Sequence, residues 1–212
     1  MPEEILLWDQ DGVIVDTEPW FYEATRLTLA GHDILLTRSH WHACQVKGLG
    51  LEQVVPPSSV SSLDFAKIRA DRDDVYAAFL ESEDVSVDGA DEVLSYLGQY
   101  FRMALVTNSL RRFVDQLHAG GTLLDHFEDV VTGSDGTKAK PDPQIYLRAL
   151  ELLDASSDAA VAVEDSPRGL RAAQAAGVSC LIVRSEFMRD ADLEGARGLV
   201  DSLRDLPRAL GV

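Results

Sequence analysis

Five short apolar runs punctuate the chain: Ile5 to Trp8, Met103 to Val106, Val130 to Val131, Val161 to Val163 and Cys180 to Val183. Each is continuous rather than alternating. That pattern suits strands buried on both faces, as in a parallel sheet. Between the runs the apolar period becomes helical. Ala90 to Tyr100 places Val93, Leu94 and Leu97 on one stripe, and Arg111 to His118 carries Phe113, Val114 and Leu117. Pro143 to Leu153 opens with a proline in its first turn and repeats Ile145, Leu147, Leu150 and Leu153. Pro167 to Ala176 is rich in alanine and stops at Gly177, a residue suited to ending a helix. Strands alternating with helices predict an α/β doubly wound domain.

The alternation breaks between Glu18 and Asp84. Helical stripes run from Phe21 to Leu29 and from Phe65 to Leu80, Pro56-Pro57-Ser58-Ser59 forms a loop, and no strand pattern intervenes. The expected organisation is therefore an α/β core from residues 1–17 and 85–212, with an all-helical insert over 18–84. Gly195 to Val212 reads as one further short strand and a terminal helix. The two cysteines, Cys44 in a helical stretch and Cys180 in an apolar run, make no disulfide framework and no zinc pattern; they read as buried thiols. The acidic start Met1-Pro2-Glu3-Glu4 does not suit a leader, and no run approaches the roughly 18 apolar residues of a membrane span. A cytoplasmic protein is expected, with a monomer as the default.

Charge narrows the partners. Nineteen basic residues stand against 36 acidic ones, a formal charge of −17. Nucleic acid and anionic membranes need a basic face, so neither is an expected partner. A small anionic substrate needs only a local positive site.

The chemistry gathers where the apolar runs end. Asp9-Gln10-Asp11-Gly12 follows the first run, Thr107-Asn108-Ser109 the second, and Glu164-Asp165-Ser166 the fourth; Lys138-Ala139-Lys140-Pro141 precedes a helix. Open α/β sheets bind ligands beyond the carboxyl ends of their strands. Four carboxylates meeting there either have raised pKa values or share a cation. Hard oxygen ligands favour Mg²⁺, which also accepts phosphate oxygen. Lys140 adds a positive charge, and the Thr107 hydroxyl adds a donor. A nucleophile facing such an anion cradle is what phosphoryl transfer needs.

The stretch Leu6 to Glu18, with Asp9 and Asp11 two residues apart, resembles the first motif of the haloacid dehalogenase superfamily. Val106-Thr107-Asn108-Ser109 resembles its second motif, Lys140-Pro141 its third and Val163-Glu164-Asp165-Ser166 its fourth. Glu164 to Leu170, with the alanines up to Gly177, is similar to the subfamily of β-phosphoglucomutase and phosphoglycolate phosphatase. The resemblance implies a Rossmann-like core whose helical insert is a cap that chooses substrates. It implies Asp9 as nucleophile, Asp11 as general acid then base, and Thr107 and Lys140 as holders of the phosphoryl oxygens. Asn108 joins them at the phosphate. Mg²⁺ would be held by Asp9, Asp11 through its backbone carbonyl, and Asp165, with Glu164 in or just outside the set. Lys47 either reaches the substrate or is solvated.

Within the family, Asp11 favours phosphoryl chemistry over carbon–halogen cleavage, because true dehalogenases lack the second acid. The mutase pattern is incomplete: near Phe21 no histidine offers a base, and Leu51 stands where an arginine is expected. The expected activity is thus Mg²⁺-dependent hydrolysis of a small phosphorylated metabolite, with a sugar phosphomutase as the alternative. A signalling receiver domain would share the acid pair, threonine and lysine, but it is shorter and has no place for the insert. The five histidines read as structural or exposed.

Overall fold

The computed structural model describes residues 5–185, 187–188 and 190–212. The acidic lead-in Met1-Pro2-Glu3-Glu4 lies outside the described residues. The chain separates into two compact units, one of residues 1–16 and 86–212 and the other of residues 17–85. In chain order the elements are β1 (Ile5–Trp8), α1 (Glu18–Ala30), α2 (Arg38–Val46), α3 (Leu51–Val54) and α4 (Phe65–Ser82). They continue with α5 (Ala90–Leu97), β2 (Arg102–Val106), α6 (Arg111–Leu117), β3 (Asp129–Val131) and α7 (Gln144–Leu152). β4 (Ala160–Glu164), α8 (Pro167–Ala175), β5 (Ser179–Val183), β6 (Gly198–Val200) and α9 (Leu206–Leu210) complete the described residues.

The larger unit holds a six-stranded sheet in the order β3-β2-β1-β4-β5-β6. Every pairing is parallel. Side chains alternate across each strand, and both faces are covered. Leu6, Trp8, Met103, Leu105, Val161 and Val163 pack with α5 and with Leu203 and Leu206 near the C-terminus. Ile5, Leu7, Ala104, Val106, Ala160 and Ala162 pack on the other face with α7 and α8. Hence the strands read as unbroken apolar runs. Gly177, in the left-handed region at φ +75°, follows α8 and turns the chain into β5.

One helical stripe differs from its sequence pattern. On α7 the buried residues are Ile145, Tyr146, Ala149 and Leu150, whereas Leu147 is 47% exposed. The core-facing stripe thus carries a tyrosine and an alanine, and an exposed leucine sits beside it. The reason for the tyrosine is polar and lies in the site described below.

The regular elements of the smaller unit are all helices, joined by loops. α1 and α4 carry its core: Phe21 of α1 meets the Tyr76 ring of α4 edge-on, with centroids 5.2 Å apart. Thr37 caps α2 by accepting the His40 N–H, and Asp64 caps α4 by accepting the Lys67 N–H. Cys44 and Cys180 are both free and buried. No helix of the described residues is long and apolar enough to cross a membrane.

Candidate active site

Strand order reverses at β1, which pairs with β2 on one side and β4 on the other. The crevice beyond such a switch point is where open sheets bind ligands. The register brings Trp8 beside Leu105 and Val163, so the residues that follow all three strands converge. The Asp9 N–H continues the ladder by donating to the Val163 carbonyl at 2.9 Å. After Asp9 the chain folds back on itself. The Gln10 carbonyl accepts from the N–H groups of Val13, Ile14 and Val15, and the Gly12 N–H donates to Val15. Gly12 is required twice over: it adopts φ +83°, and a Cβ there would lie 2.1 Å from Asp165 Oδ2.

Lys140 is buried at the centre of the site. Its Nζ donates to Asp9 Oδ1 at 2.7 Å, to Glu164 Oε1 at 2.6 Å and to the Val106 carbonyl at 2.7 Å. An ammonium has three protons, and all three are used. Burial opposes the lysine's charge, but the Asp9 and Glu164 carboxylates outweigh it and hold the pKa above the ordinary value. For Asp9 the balance is reversed. Its own burial, then the Glu164 charge, push its carboxyl up to about 7 against the pull of Lys140.

Glu164, the last residue of β4, is fully buried. Its Oε1 accepts from Lys140 and from the Tyr146 hydroxyl at 2.7 Å. Its Oε2 accepts from the Asp165 N–H and the Ser166 hydroxyl, both at 3.3 Å. Burial, then the Glu164 charge, raise the Tyr146 pKa well above its usual value, so the hydroxyl keeps its proton and donates. Glu164 rests on the bare backbone of α8: a Cβ at Gly169 would fall 1.8 Å from its carboxyl carbon.

Asp11 takes a different set of partners. Its Oδ2 accepts from the Thr107 hydroxyl at 3.1 Å and the Ser109 hydroxyl at 2.7 Å. Thr107 Oγ1 in turn accepts the Ser109 N–H at 3.0 Å. The Asn108 side chain holds backbone: its Oδ1 accepts the Lys140 N–H at 2.8 Å and its Nδ2 donates to the Lys140 carbonyl at 3.4 Å. The structure therefore brings Asp9, Asp11, Thr107, Asn108, Lys140, Glu164 and Asp165 to one end of the sheet. Lys47 belongs to the helical unit, as the exposed residue that ends α2.

Asp9, Glu164 and Asp165 are all buried, and each offers a carboxylate oxygen within 4.8 Å of the others. A donor set made only of hard oxygens fits a hard divalent cation rather than a thiophilic metal. Of the three, Glu164 is the most committed elsewhere.

The model of the haloacid dehalogenase-like hydrolases matches residues 6–183. The chain belongs to that family. The hydrolase is 31% identical to a phosphoglycolate phosphatase of Cupriavidus necator, over 99% of this chain and 94% of the relative. It is 29% identical to a phosphorylated carbohydrates phosphatase of Thermotoga maritima, over 82% of each chain. Its fold matches that of CbbY from Rhodobacter sphaeroides, solved in complex with phosphate, with a TM-score of 0.83. That comparison covers 99% of this chain and 100% of the other at 24% identity.

Among the partners in the hydrolase's site that carried no role in the sequence reading are Ser109, Tyr146, Ser166 and Gly169. Ser109 sits inside the quoted second motif. Tyr146 could have been found as the polar residue on an otherwise apolar helix stripe. Gly169 carries a signal only once Glu164 is placed against it.

Proposed function

We propose that the protein is a Mg²⁺-dependent phosphatase that hydrolyses a small phosphorylated metabolite through an aspartyl-phosphate on Asp9. The observation that carries the reading is the Asp9–Lys140–Glu164 cluster, with Asp11 two residues further on and turned toward different partners. Two neighbouring carboxylates with distinct environments are suited to distinct roles. The names of the two phosphatase relatives support the substrate class, and a phosphorylated carbohydrate or a phosphorylated small acid is the type expected.

In this reading a carboxylate oxygen of Asp9 attacks phosphorus. The bond from phosphorus to the substrate alcohol breaks, and its electron pair leaves on oxygen, which takes a proton from Asp11. Water then attacks the acyl phosphate and gives a proton back to Asp11. The phosphorus–Asp9 bond breaks, and phosphate leaves. The covalent intermediate divides one difficult step into two easier ones. Lys140 would exchange its contact with Asp9 for a phosphoryl oxygen, the Thr107 hydroxyl would turn from Asp11 to hold another, and Asn108 would fix Lys140 through its backbone. Asp9, Asp165 and the Asp11 backbone carbonyl would hold Mg²⁺, which supplies positive charge against the carboxylates and the incoming phosphate. Glu164 would act chiefly on Lys140. The helical unit is proposed as the substrate-selecting cap, and Lys47 as a residue through which it could contact substrate. Two free, buried thiols fit a reducing compartment, and we place the enzyme in the cytoplasm.

The test is phosphate release from a panel of sugar phosphates, 2-phosphoglycolate, glycerol phosphate and nucleotides, with Mg²⁺ or EDTA, against Asp9→Asn. Release that needs both Mg²⁺ and Asp9 is expected. Interconversion of sugar phosphates without release would replace the phosphatase with the mutase. Release that survives Asp9→Asn would overturn the nucleophile.

A further inference from the structure

Between the two catalytic acids of the proposed mechanism lies a polar residue that the mechanism does not use. Gln10 is completely buried. Its side-chain Oε1 lies 3.2 Å from His118 Nε2, at the C-terminal end of α6. Its Nε2 lies 3.5 Å from each of the two carboxylate oxygens of Asp11. A buried amide is costly unless its polar atoms are matched, so these contacts fix the side chain. The amide nitrogen faces Asp11 and the amide oxygen, which can only accept, faces His118. His118 must then carry its proton on Nε2. Burial holds the His118 pKa below its usual value, in favour of the neutral ring, although the Asp11 charge opposes this.

Thr107 and Ser109 both grip Asp11 Oδ2. The Gln10 amide instead straddles both oxygens at equal distance. At that length it orients the carboxylate as a dipole more than it clamps it.

We propose that Gln10, itself oriented by His118, is a positioning residue that aims the Asp11 carboxylate for proton transfer. The proposal rests on the phosphatase reading. It separates substrates by their leaving groups. An alkoxide must be protonated as it leaves, whereas a nitrophenolate leaves without help. The parameter kcat/KM reports the steps up to release of the alcohol, so it isolates this demand.

The experiment compares wild type, Gln10→Met, His118→Leu and His118→Gln on two substrates. One is p-nitrophenyl phosphate; the other is the alkyl monoester of the panel that the wild type hydrolyses fastest. Methionine keeps the glutamine's shape without its amide, and glutamine at 118 returns an N–H donor. For the alkyl ester, kcat/KM is expected to fall about tenfold in Gln10→Met and His118→Leu, a fraction of what general acid catalysis contributes. His118→Gln should recover to within about threefold of wild type, and all variants should stay within about twofold on p-nitrophenyl phosphate. Equal losses on both substrates would reduce the two residues to packing and overturn the proposal, as would no loss on either. A His118→Gln variant as slow as His118→Leu would remove the histidine's part. If Gln10→Met does not fold, the two His118 variants carry the same comparison, because that ring is only partly buried. A wild type that hydrolyses neither ester overturns the phosphatase reading itself, while an active wild type with unaffected variants overturns only the positioning.

Discussion

At the scale of single residues, the site turns on how one lysine is shared between acids. Lys140 neutralises part of the charge on Asp9 and Glu164 but leaves Asp9 buried beside a second carboxylate. Its pKa of about 7 in the fold lies above the 3.8 of an ordinary aspartate. The folded state therefore binds this proton more tightly than the unfolded chain does. The stability it contributes is full below about pH 4 and is lost as pH rises through about 7. Asparagine at this position cannot ionise. In EDTA, Asp9→Asn should melt above wild type at pH 8 and close to it at pH 4.5, by thermal unfolding. A variant that melts below wild type at pH 8 would mean that the lysine, not the burial, dominates Asp9. Which of these residues could be found in the sequence follows the same physics. Asp9, Asp11, Thr107 and Asp165 stand out because each follows an apolar run abruptly. Gln10 and Tyr146 do not, because their partners lie far along the chain, at His118 and Glu164, and only the fold brings them together.

At the scale of elements, the strands were legible because both faces of the sheet are buried, so each appears as an unbroken apolar run. The α7 stripe was less legible. Apolarity alone groups Leu147 with Ile145 and Leu150, but residues two apart lie on different faces of a helix, and the buried face includes Tyr146, whose hydroxyl donates to Glu164. The contact between α8 and the end of β4 was not legible at all, since it depends on a missing side chain. Gly169→Ala drives a methyl group into the Glu164 carboxylate. Overpacking of this kind costs about 1–3 kcal/mol. The displaced Glu164 also releases Lys140, and a misplacement of about 1 Å in a catalytic array lowers turnover by roughly 100-fold. Thermal unfolding and kcat should both show the loss. Wild-type kcat in Gly169→Ala would mean that Glu164 does not set the lysine.

At the scale of the whole molecule, the break in strand–helix alternation after the first acidic motif corresponds to the helical unit of residues 17–85. Which residues of the proposed cap would select the substrate was not legible, because side chains on that unit follow no spacing rule tied to a ligand. The net charge of −17 bears on the encounter with substrate. A phosphomonoester dianion approaches a like-charged molecule, and the positive charge near the proposed phosphate site is buried. Salt screens that repulsion over a Debye length of about 10 Å at 0.1 M ionic strength. The kcat/KM for a phosphomonoester should thus rise as ionic strength increases from about 0.01 to 0.15 M at fixed Mg²⁺. A steady fall would show instead that local positive charge steers the substrate. The proposed mechanism depends above all on the covalent step, in which Asp9 takes the phosphoryl. It is tested most directly by quenching the enzyme in acid during turnover of its best phosphomonoester with Mg²⁺, reducing with borohydride, and sequencing the peptide by mass spectrometry. The side chain of Asp9 alone should be reduced to the alcohol, and only when substrate is present. Rapid phosphate release with an unmodified Asp9, or reduction at Asp11 or Asp165 instead, would contradict it.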